Sequence, residues 1–272
     1  MIDEMVAIRL GVFLTILALM MSLECLFPAR KLTKTPQTAS IVTRWFGNFG
    51  LLIIASVVAR LLLPLGLAGF ALYTTQQQWG ILHWVNLPHW VNIISSLLLL
   101  DMLIYWQHRL FHRIPLLWRL HKVHHADRHV DSSTALRFHP LEIIASLGIK
   151  ALAIIILGIP AEAVILFEIL LNGFAIFNHA NIRLPKKIEH IARYVVVTQI
   201  LHRIHHSQVM AESNTNFGFS IVWWDRLFGS YSANASKADE DIDIGLIIQI
   251  FTVILLFTQV DLRAKIFCAL NR

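Results

Sequence analysis

The chain has 272 residues, of which 56% are hydrophobic and only 15% are charged. That apolar fraction exceeds the roughly 45–50% of ordinary soluble domains, and it excludes a disordered chain, which needs low hydrophobicity and high net charge. With only two cysteines, which lack metal-type spacing, a disulfide-rich scaffold is excluded. The formal net charge is +6, and the 14 histidines, against 17 acidic residues, are the feature that requires an explanation.

The first three apolar runs, residues 5–27, 45–73 and 90–106, predict membrane-spanning helices, because a helix needs about 20 apolar residues to cross a bilayer. A cleaved signal peptide is the alternative for the first run. Asp3 and Glu4 argue against it, since a signal peptide begins with positive charge. Pro64 interrupts the second run, which predicts either one kinked helix or a helix followed by a re-entrant piece.

Two further runs, 141–159 and 161–178, predict a helical hairpin with a tight turn at residues 158–160. A last run, 244–260, is barely long enough to span, and the basic residues after it favour an interfacial or re-entrant segment. Together the runs predict an all-α membrane bundle of about four to five spans. Arg60 and Lys150 are ionisable residues inside these predicted spans, where such residues are usually functional, but the sequence assigns them no role.

The distribution of Lys and Arg predicts the orientation. Residues 28–44 contain four of them and residues 73–88 contain none. Because basic residues accumulate in cytoplasmic loops, residues 108–140 and 179–243 are both expected in the cytoplasm. The basic excess is then explained by topology and by contact with anionic lipid headgroups, so no nucleic-acid partner is predicted.

Histidines recur at helical spacing in three places. The sequences HRLFH, HKVHH and HRIHH contain the patterns HxxxH, HxxHH and HxxHH, and a single histidine follows the predicted hairpin. Residues three and four apart share one face of a helix, which is the arrangement that a metal site requires. The nine histidines are His108, His112, His121, His124, His125, His179, His202, His205 and His206.

Nine imidazoles are too many for one ion, so the count predicts a site for two ions. Imidazole binds Zn, Cu, Fe and Ni alike, and the count therefore gives the number of ions rather than their identity. The clusters extend the predicted cytoplasmic ends of the third helix and of the hairpin. We therefore expect a His-rich helical cap just outside the membrane surface, where a long apolar substrate could remain in lipid while one carbon reaches the metal.

The order and spacing of these motifs, from about residue 90 to 231, resemble those of the fatty acid hydroxylase superfamily, also called the sterol desaturase family. The pattern DxxxYxxHRxxH ends at His112 and is followed in order by HKVHH, RFHP, NHANIRLP and HRIHH. The closing stretch NTNFGFSIVWWDRLFGS, residues 214–230, is also similar to the last motif of that family.

The resemblance implies an integral-membrane, non-haem di-iron oxygenase that uses O2 and two electrons to hydroxylate or desaturate a lipid C–H bond. The nine histidines would be the iron ligands. Some members carry another histidine four residues after the position of His179, where this chain has Arg183. One iron would then have a water, an open position or His139 in its place. His139 could also be an outer partner or a structural residue at a helix start. Metal-bound histidines usually donate their second N–H to a carboxylate, a carbonyl or water. The other candidates for outer partners are therefore Asp101, Asp127, Asp131, Glu142 and Asp225.

The sequence predicts three parts: N-terminal transmembrane helices (1–89), a hydroxylase-like catalytic domain (90–231) and a C-terminal apolar helix (232–272). No flavin, nicotinamide or haem module is recognisable, so a separate ferredoxin or cytochrome would supply the electrons. The substrate class stays open between sterol-like, fatty acyl, alkylglycerol and carotenoid lipids. Two alternatives remain: a zinc-dependent membrane hydrolase, and a non-enzymatic metal or haem transporter or electron carrier.

Overall fold

The computed structural model describes residues 2–31 and 40–246. Within these ranges the protein is all-α, as predicted, and its β-structure is limited to two isolated bridges. The α-helices are α1 (Ile2–Leu26), α2 (Ile41–Leu62), α3 (Gly66–Gln76), α4 (His89–Arg113), α5 (Pro115–His125), α6 (Pro140–Leu157), α7 (Ala161–His179), α8 (Lys186–Ala192), α9 (Gln199–His205), α10 (Met210–Ser213) and α11 (Trp223–Leu227). Three 3-10 helices lie at Ile81–His83, Ser132–Leu136 and Asp239–Asp241.

Five helical segments are long and apolar enough to cross a membrane, which confirms the predicted number. They are Ala7–Leu26, Ile41–Gln76, His89–Arg113, Pro140–Leu157 and Ala161–His179. Many large apolar side chains on these segments, such as Leu14, Ile53 and Val57, are more than half exposed. Contiguous exposed apolar surface of this kind is what lipid-facing helices present. Most of the predicted run 244–260 lies outside the described residues.

The second predicted run consists of two helices. α2 ends at Leu62 and α3 begins at Gly66, so residues 63–65 form the break. Pro64 lies in this break, where its missing N–H costs no helical hydrogen bond. Gly66 has a φ of +66°, a left-handed conformation that glycine adopts without strain.

The two helices that the sequence predicts around residues 158–160 are present as α6 and α7, with a tight turn between them. Gly158 ends α6 in the left-handed conformation, with φ at +73°, and its N–H donates to the carbonyl of Ile154 at 2.8 Å. This is a common way to end a helix. Pro160 then precedes the first residue of α7. The turn returns the chain to the side of the molecule from which α6 started.

The buried core of the bundle lies where α3, α4, α6 and α7 meet. It is built from small and aliphatic side chains, including Leu67, Leu100, Ile154 and Val164, each at most 2% exposed. α7 is central because it also packs against α1 and against the 3-10 helix Ser132–Leu136. His179, at the end of α7, is consequently held between the bundle and the cap.

Buried polar contacts fix the cap to α1 and α2. The carboxylate of Glu24 accepts hydrogen bonds from the backbone N–H groups of Ser132 and Asn181, each at 2.7 Å. The guanidinium of Arg44 donates to Asp127 at 2.6 and 2.8 Å and to Asp131 at 2.8 Å. Since such buried charges are tolerated only when paired, these contacts set where the loop after α5 lies on the bundle.

Candidate metal centre

All nine predicted histidines meet in one place. α4 supplies two of them, α5 supplies three, α7 ends in one, and α9 with the residue after it supplies three. Eight are buried and His112 is half-buried. The helical spacing explains the local arrangement, because residues three or four apart in α4, α5 and α9 project from neighbouring positions.

The nine imidazoles form two adjacent groups. Within each group, one ligand nitrogen per residue lies within 4.8 Å of all the others. The first group consists of His108, His112, His121, His125 and His205. The second group consists of His124, His179, His202 and His206.

Each HxxHH motif is divided between the groups. In α5, the outer pair of the motif joins the first group, and His124 joins the second. In the second HxxHH motif, His202 and His206 join the second group, and His205 joins the first. The groups touch where the rings of His125 and His206 stack, with centroids 4.4 Å apart. The sequence predicts one shared face for each motif, and it does not show this exchange.

Hydrogen bonds fix the protonation of five rings. Nδ1 of His108, His179 and His205 lies 2.7–2.8 Å from the backbone carbonyls of Phe217, Ala175 and Thr215 respectively. Nδ1 of the two others lies near further acceptors. Nδ1 of His121 lies 2.7 Å from Oε1 of Glu142, and Nδ1 of His124 lies 3.3 Å from the carbonyl oxygen of Arg137. Because a carbonyl or carboxylate can only accept, Nδ1 carries the proton and Nε2 carries a lone pair.

These lone pairs face one another. Nε2 of His108 lies 3.1 Å from Nε2 of His121, and Nε2 of His124 lies 2.9 Å from Nε2 of His179. With both protons on Nδ1, neither pair can form a hydrogen bond. A cation between the nitrogens removes this repulsion. Two nitrogens bound to one ion at about 2.1 Å are about 3.0 Å apart at a 90° angle and about 3.4 Å apart at the tetrahedral angle.

Other nitrogens lack partners in the part of the chain that the structure describes. Nε2 of His205 and Nδ1 of His202 and His206 are buried there without a hydrogen bond. Buried polar atoms in native proteins are normally satisfied, so the unpaired Nε2 of His205 fits an ion bound in the first group. In the second group it is Nε2 of His202 and of His206 that faces the neighbouring imidazole nitrogens, at 2.9–3.3 Å. The donor set therefore fits transition-metal ions in both groups.

The electrostatics favour neutral imidazoles. Burial holds the pKa of His205 at about 3, well below the usual 6.5. Burial, followed by the charges of neighbouring imidazoles, also lowers the pKa well below that value for four further histidines outside the spans: His124, His125, His202 and His206. Neutral imidazole is the form that binds a metal, so the site is prepared for cations without first losing protons.

A loop crosses the site and orients two of the histidines. The carbonyls of Thr215 and Phe217 accept from His205 and His108, and between them Asn216 adopts a left-handed φ of +51°. Asp225 holds this loop in place, because its carboxylate accepts from the N–H of Phe217 at 2.7 Å. Backbone acceptors leave no signal in side-chain spacing, so the sequence does not identify them.

The other outer candidates have different positions. The carboxylate of Asp101 accepts from the indole N–H of Trp224 at 2.8 Å and joins α4 to α11. Nδ1 of His139 accepts the backbone N–H of Leu141 at 3.1 Å and caps the start of α6. His139 belongs to neither histidine group, so the structure favours the structural alternative for it. The carboxylate that does contact a clustered histidine is that of Glu142, in the first turn of α6, which lies 2.7 Å from Nδ1 of His121.

Comparison with known proteins decides the family. Residues 93–230, just over half of the chain, match the model of the fatty acid hydroxylase family. The chain belongs to this family. The matched region begins in α4 and ends after α11, so it contains all nine clustered histidines and the loop that orients two of them. No solved structure matches the chain.

Relatives within the fatty acid hydroxylase family act on different lipids. The chain is 27% identical to ornithine lipid hydroxylase OlsE of Rhizobium tropici over 58% of its own length and 46% of the relative. It is 26% identical to human alkylglycerol monooxygenase over 53% of its own length and 31% of the relative. It is 30% identical to human lathosterol oxidase over 54% of its own length and 46% of the relative. The chain thus spans less than half of the length of these relatives.

A cavity leads from the first histidine group into the helical bundle. Its empty space, including the part open to the surroundings, amounts to about 940 Å³. His108, His121 and Glu142 line it beside the cap, and Lys150 and Leu171 line it deeper in the bundle. No histidine of the second group lines this cavity.

Proposed function

We propose that the protein is a membrane-bound di-iron oxygenase that hydroxylates or desaturates a C–H bond of a lipid. The observation that carries the proposal is the pair of histidine groups with facing lone pairs, one of which borders an apolar cavity lined by residues of the candidate membrane spans. Residues 90–231 would form the catalytic domain on this proposal. Residues 1–89 would be N-terminal transmembrane helices, and most of the third predicted part, residues 232–272, lies outside the described residues.

Each histidine group would hold one iron ion. When bound, the two ions would supply the binding and reductive activation of O2 and the removal of hydrogen from the substrate. Hydroxylation would consume the lipid, O2, two electrons and two protons and yield an alcohol and one water. Desaturation would consume the same reactants and yield an alkene and two waters.

The protein would contribute position, orientation and exclusion of water. The backbone carbonyls of Ala175, Thr215 and Phe217 and the carboxylate of Glu142 hold four rings with Nε2 towards the ions. Such outer partners increase ligand basicity and keep the rings from rotating. The apolar walls of the cavity would bind the lipid so that one carbon lies beside the first group, which the cavity reaches.

The electrons would come from a separate carrier of the ferredoxin or cytochrome type. We place its docking surface near α5, because His112 is the half-buried ligand and the half-buried ring of Trp118 packs on it at 5.0 Å and on His125 at 5.4 Å. Arg119 is exposed beside Trp118. This face would lie in the cytoplasm if the charge distribution of the loops sets the orientation.

Metal analysis and lipid analysis test the proposal together. We expect about two iron ions per chain in the purified protein, and we expect cells that produce it to contain a lipid with one added oxygen or two fewer hydrogens. His202→Ala should abolish the product. His190→Ala, an exposed histidine of α8, is the matched control. Full activity with zinc alone, or full activity without O2, would show a zinc hydrolase or another class instead.

A further inference from the structure

Three candidate spanning helices bring charged side chains near one another; the side chain of Glu168 is 14% exposed and that of Arg9 is 36% exposed. Arg9 of α1 pairs with Glu168 of α7, and Lys150 of α6 lies within the electrostatic reach of both. Two positive charges and one negative charge leave a formal excess of +1. An excess charge at this depth is costly, because the bilayer offers neither water nor counterions there.

Lys150 has no hydrogen bond or ion pair of its own to any residue that the structure describes. Its side chain lines the cavity that reaches the first histidine group. In α6, Glu142, Ser146 and Lys150 follow at intervals of four residues and all line this cavity. At 1.5 Å of rise per residue, Lys150 lies roughly 12 Å along the helix from Glu142, which contacts His121.

Other polar atoms along the cavity also lack partners. Oε1 of Gln107 and Oε2 of Glu142 are buried, and neither has a hydrogen-bond partner among the described residues. A cavity for a plain hydrocarbon would gain nothing from such atoms, since each unsatisfied polar group costs free energy. Both atoms can only accept hydrogen bonds and lie near His108 and His121, so they suit a hydrogen-bond donor at that end of the cavity. In the deeper lining, the group that suits an acidic oxygen is the ammonium of Lys150.

We propose that Lys150 binds an acidic oxygen group of the lipid substrate, and so fixes which carbon lies beside the first histidine group. The ligand is an amphiphile whose carboxylate compensates the excess positive charge. The reacting carbon of this amphiphile would lie roughly 12 Å from its carboxylate, the distance along α6 between Glu142 and Lys150. This inference rests on the proposed function, because it treats the cavity as the substrate site of the oxygenase.

Competition binding tests this proposal. The full chain in detergent is incubated with tritiated palmitate, and unlabelled palmitate or methyl palmitate is added as a competitor. We expect the acid to compete roughly tenfold to a hundredfold better than the ester, because a charged hydrogen bond changes an equilibrium constant by about that factor. Lys150→Met and Lys150→Gln should both remove this preference, and Lys150→Arg should retain it. Lys187→Met, at an exposed lysine of α8, is the control and should bind as the wild type does.

The outcomes separate the two proposals. Absence of palmitate binding, equal competition by the ester, or an acid preference that persists in both neutral variants would overturn the role of Lys150. The assay needs no turnover, so it is also performed on protein loaded with zinc in place of iron. If the acid preference depends on Lys150 but the purified protein lacks iron, the binding site stands and the di-iron function fails.

Discussion

The contact between Glu142 and His121 gives a prediction about one metal ion of the proposed pair. Glu142→Gln keeps an oxygen within reach of Nδ1 of His121 and removes the negative charge, which changes a charge-assisted hydrogen bond of 2.7 Å into a neutral one. Hydrogen bonds to charged groups contribute about 1.5–3 kcal/mol and neutral ones about 0.5–1.5 kcal/mol. We therefore expect the first histidine group to bind its ion roughly tenfold more weakly.

The second histidine group should be weakened less than the first, because none of its members forms a hydrogen bond with Glu142 and it is affected only through its coupling to the first group by α5 and α9. The assay follows metal release from the purified, iron-loaded protein during titration with a chelator. Wild-type protein should release both ions over a similar range, whereas Glu142→Gln should release one ion at roughly tenfold lower chelator concentration. Glu162→Gln changes an exposed carboxylate of α7 and is the control. Equal weakening of both ions, or no weakening, would refute the assignment of Glu142 to one group.

Three further predictions concern the parts that hold the site. Asn216→Ala should lower the melting temperature more than Asn216→Gly, because alanine adds the cost of about 1–2 kcal/mol for a left-handed residue. Arg44→Met should destabilise the protein by about 3–5 kcal/mol in thermal unfolding, since it leaves the carboxylate of Asp127 buried without its partner. The guanidinium of Arg203 lowers the pKa of Asp239 below its usual 3.8, so their contact stabilises the fold above that pH and is lost as the pH falls through the lower pKa. Asp239→Asn should remove this acid dependence of hydrogen exchange in residues 239–246.

The sequence predicts the bundle well because its strongest signals are long and local. Apolar runs of about 20 residues have few alternatives to a spanning helix, and the residues around Gly158 and Pro160 end one helix and start the next. The second run shows the limit. Pro64 predicts an interruption but not its form, because whether α2 and α3 are continuous depends on how α3 packs against α6 and α7.

The candidate site is predictable in its members but not in its internal arrangement. Spacing identifies all nine histidines, because ligands on one helix must recur every three or four residues. It cannot show that Thr215 and Phe217 provide carbonyls to rings of two different helices, since any residue type has a carbonyl. Spacing also cannot distinguish a histidine that binds a metal from one that caps the start of a helix. His139, directly before Pro140, fits either role in the sequence, and in the structure it caps α6.

The exchange of histidines between the two groups has a physical consequence for the whole cap. α5 gives two rings to the first group and one to the second, and the HxxHH motif of α9 does the reverse. Neither group can therefore assemble unless both helices are in place. An ion bound in one group would hold α5 and α9 together and bring His124 and His205 to their positions in opposite groups. Binding of the first ion would thus lower the conformational cost of binding the second, which is the thermodynamic basis of positive cooperativity.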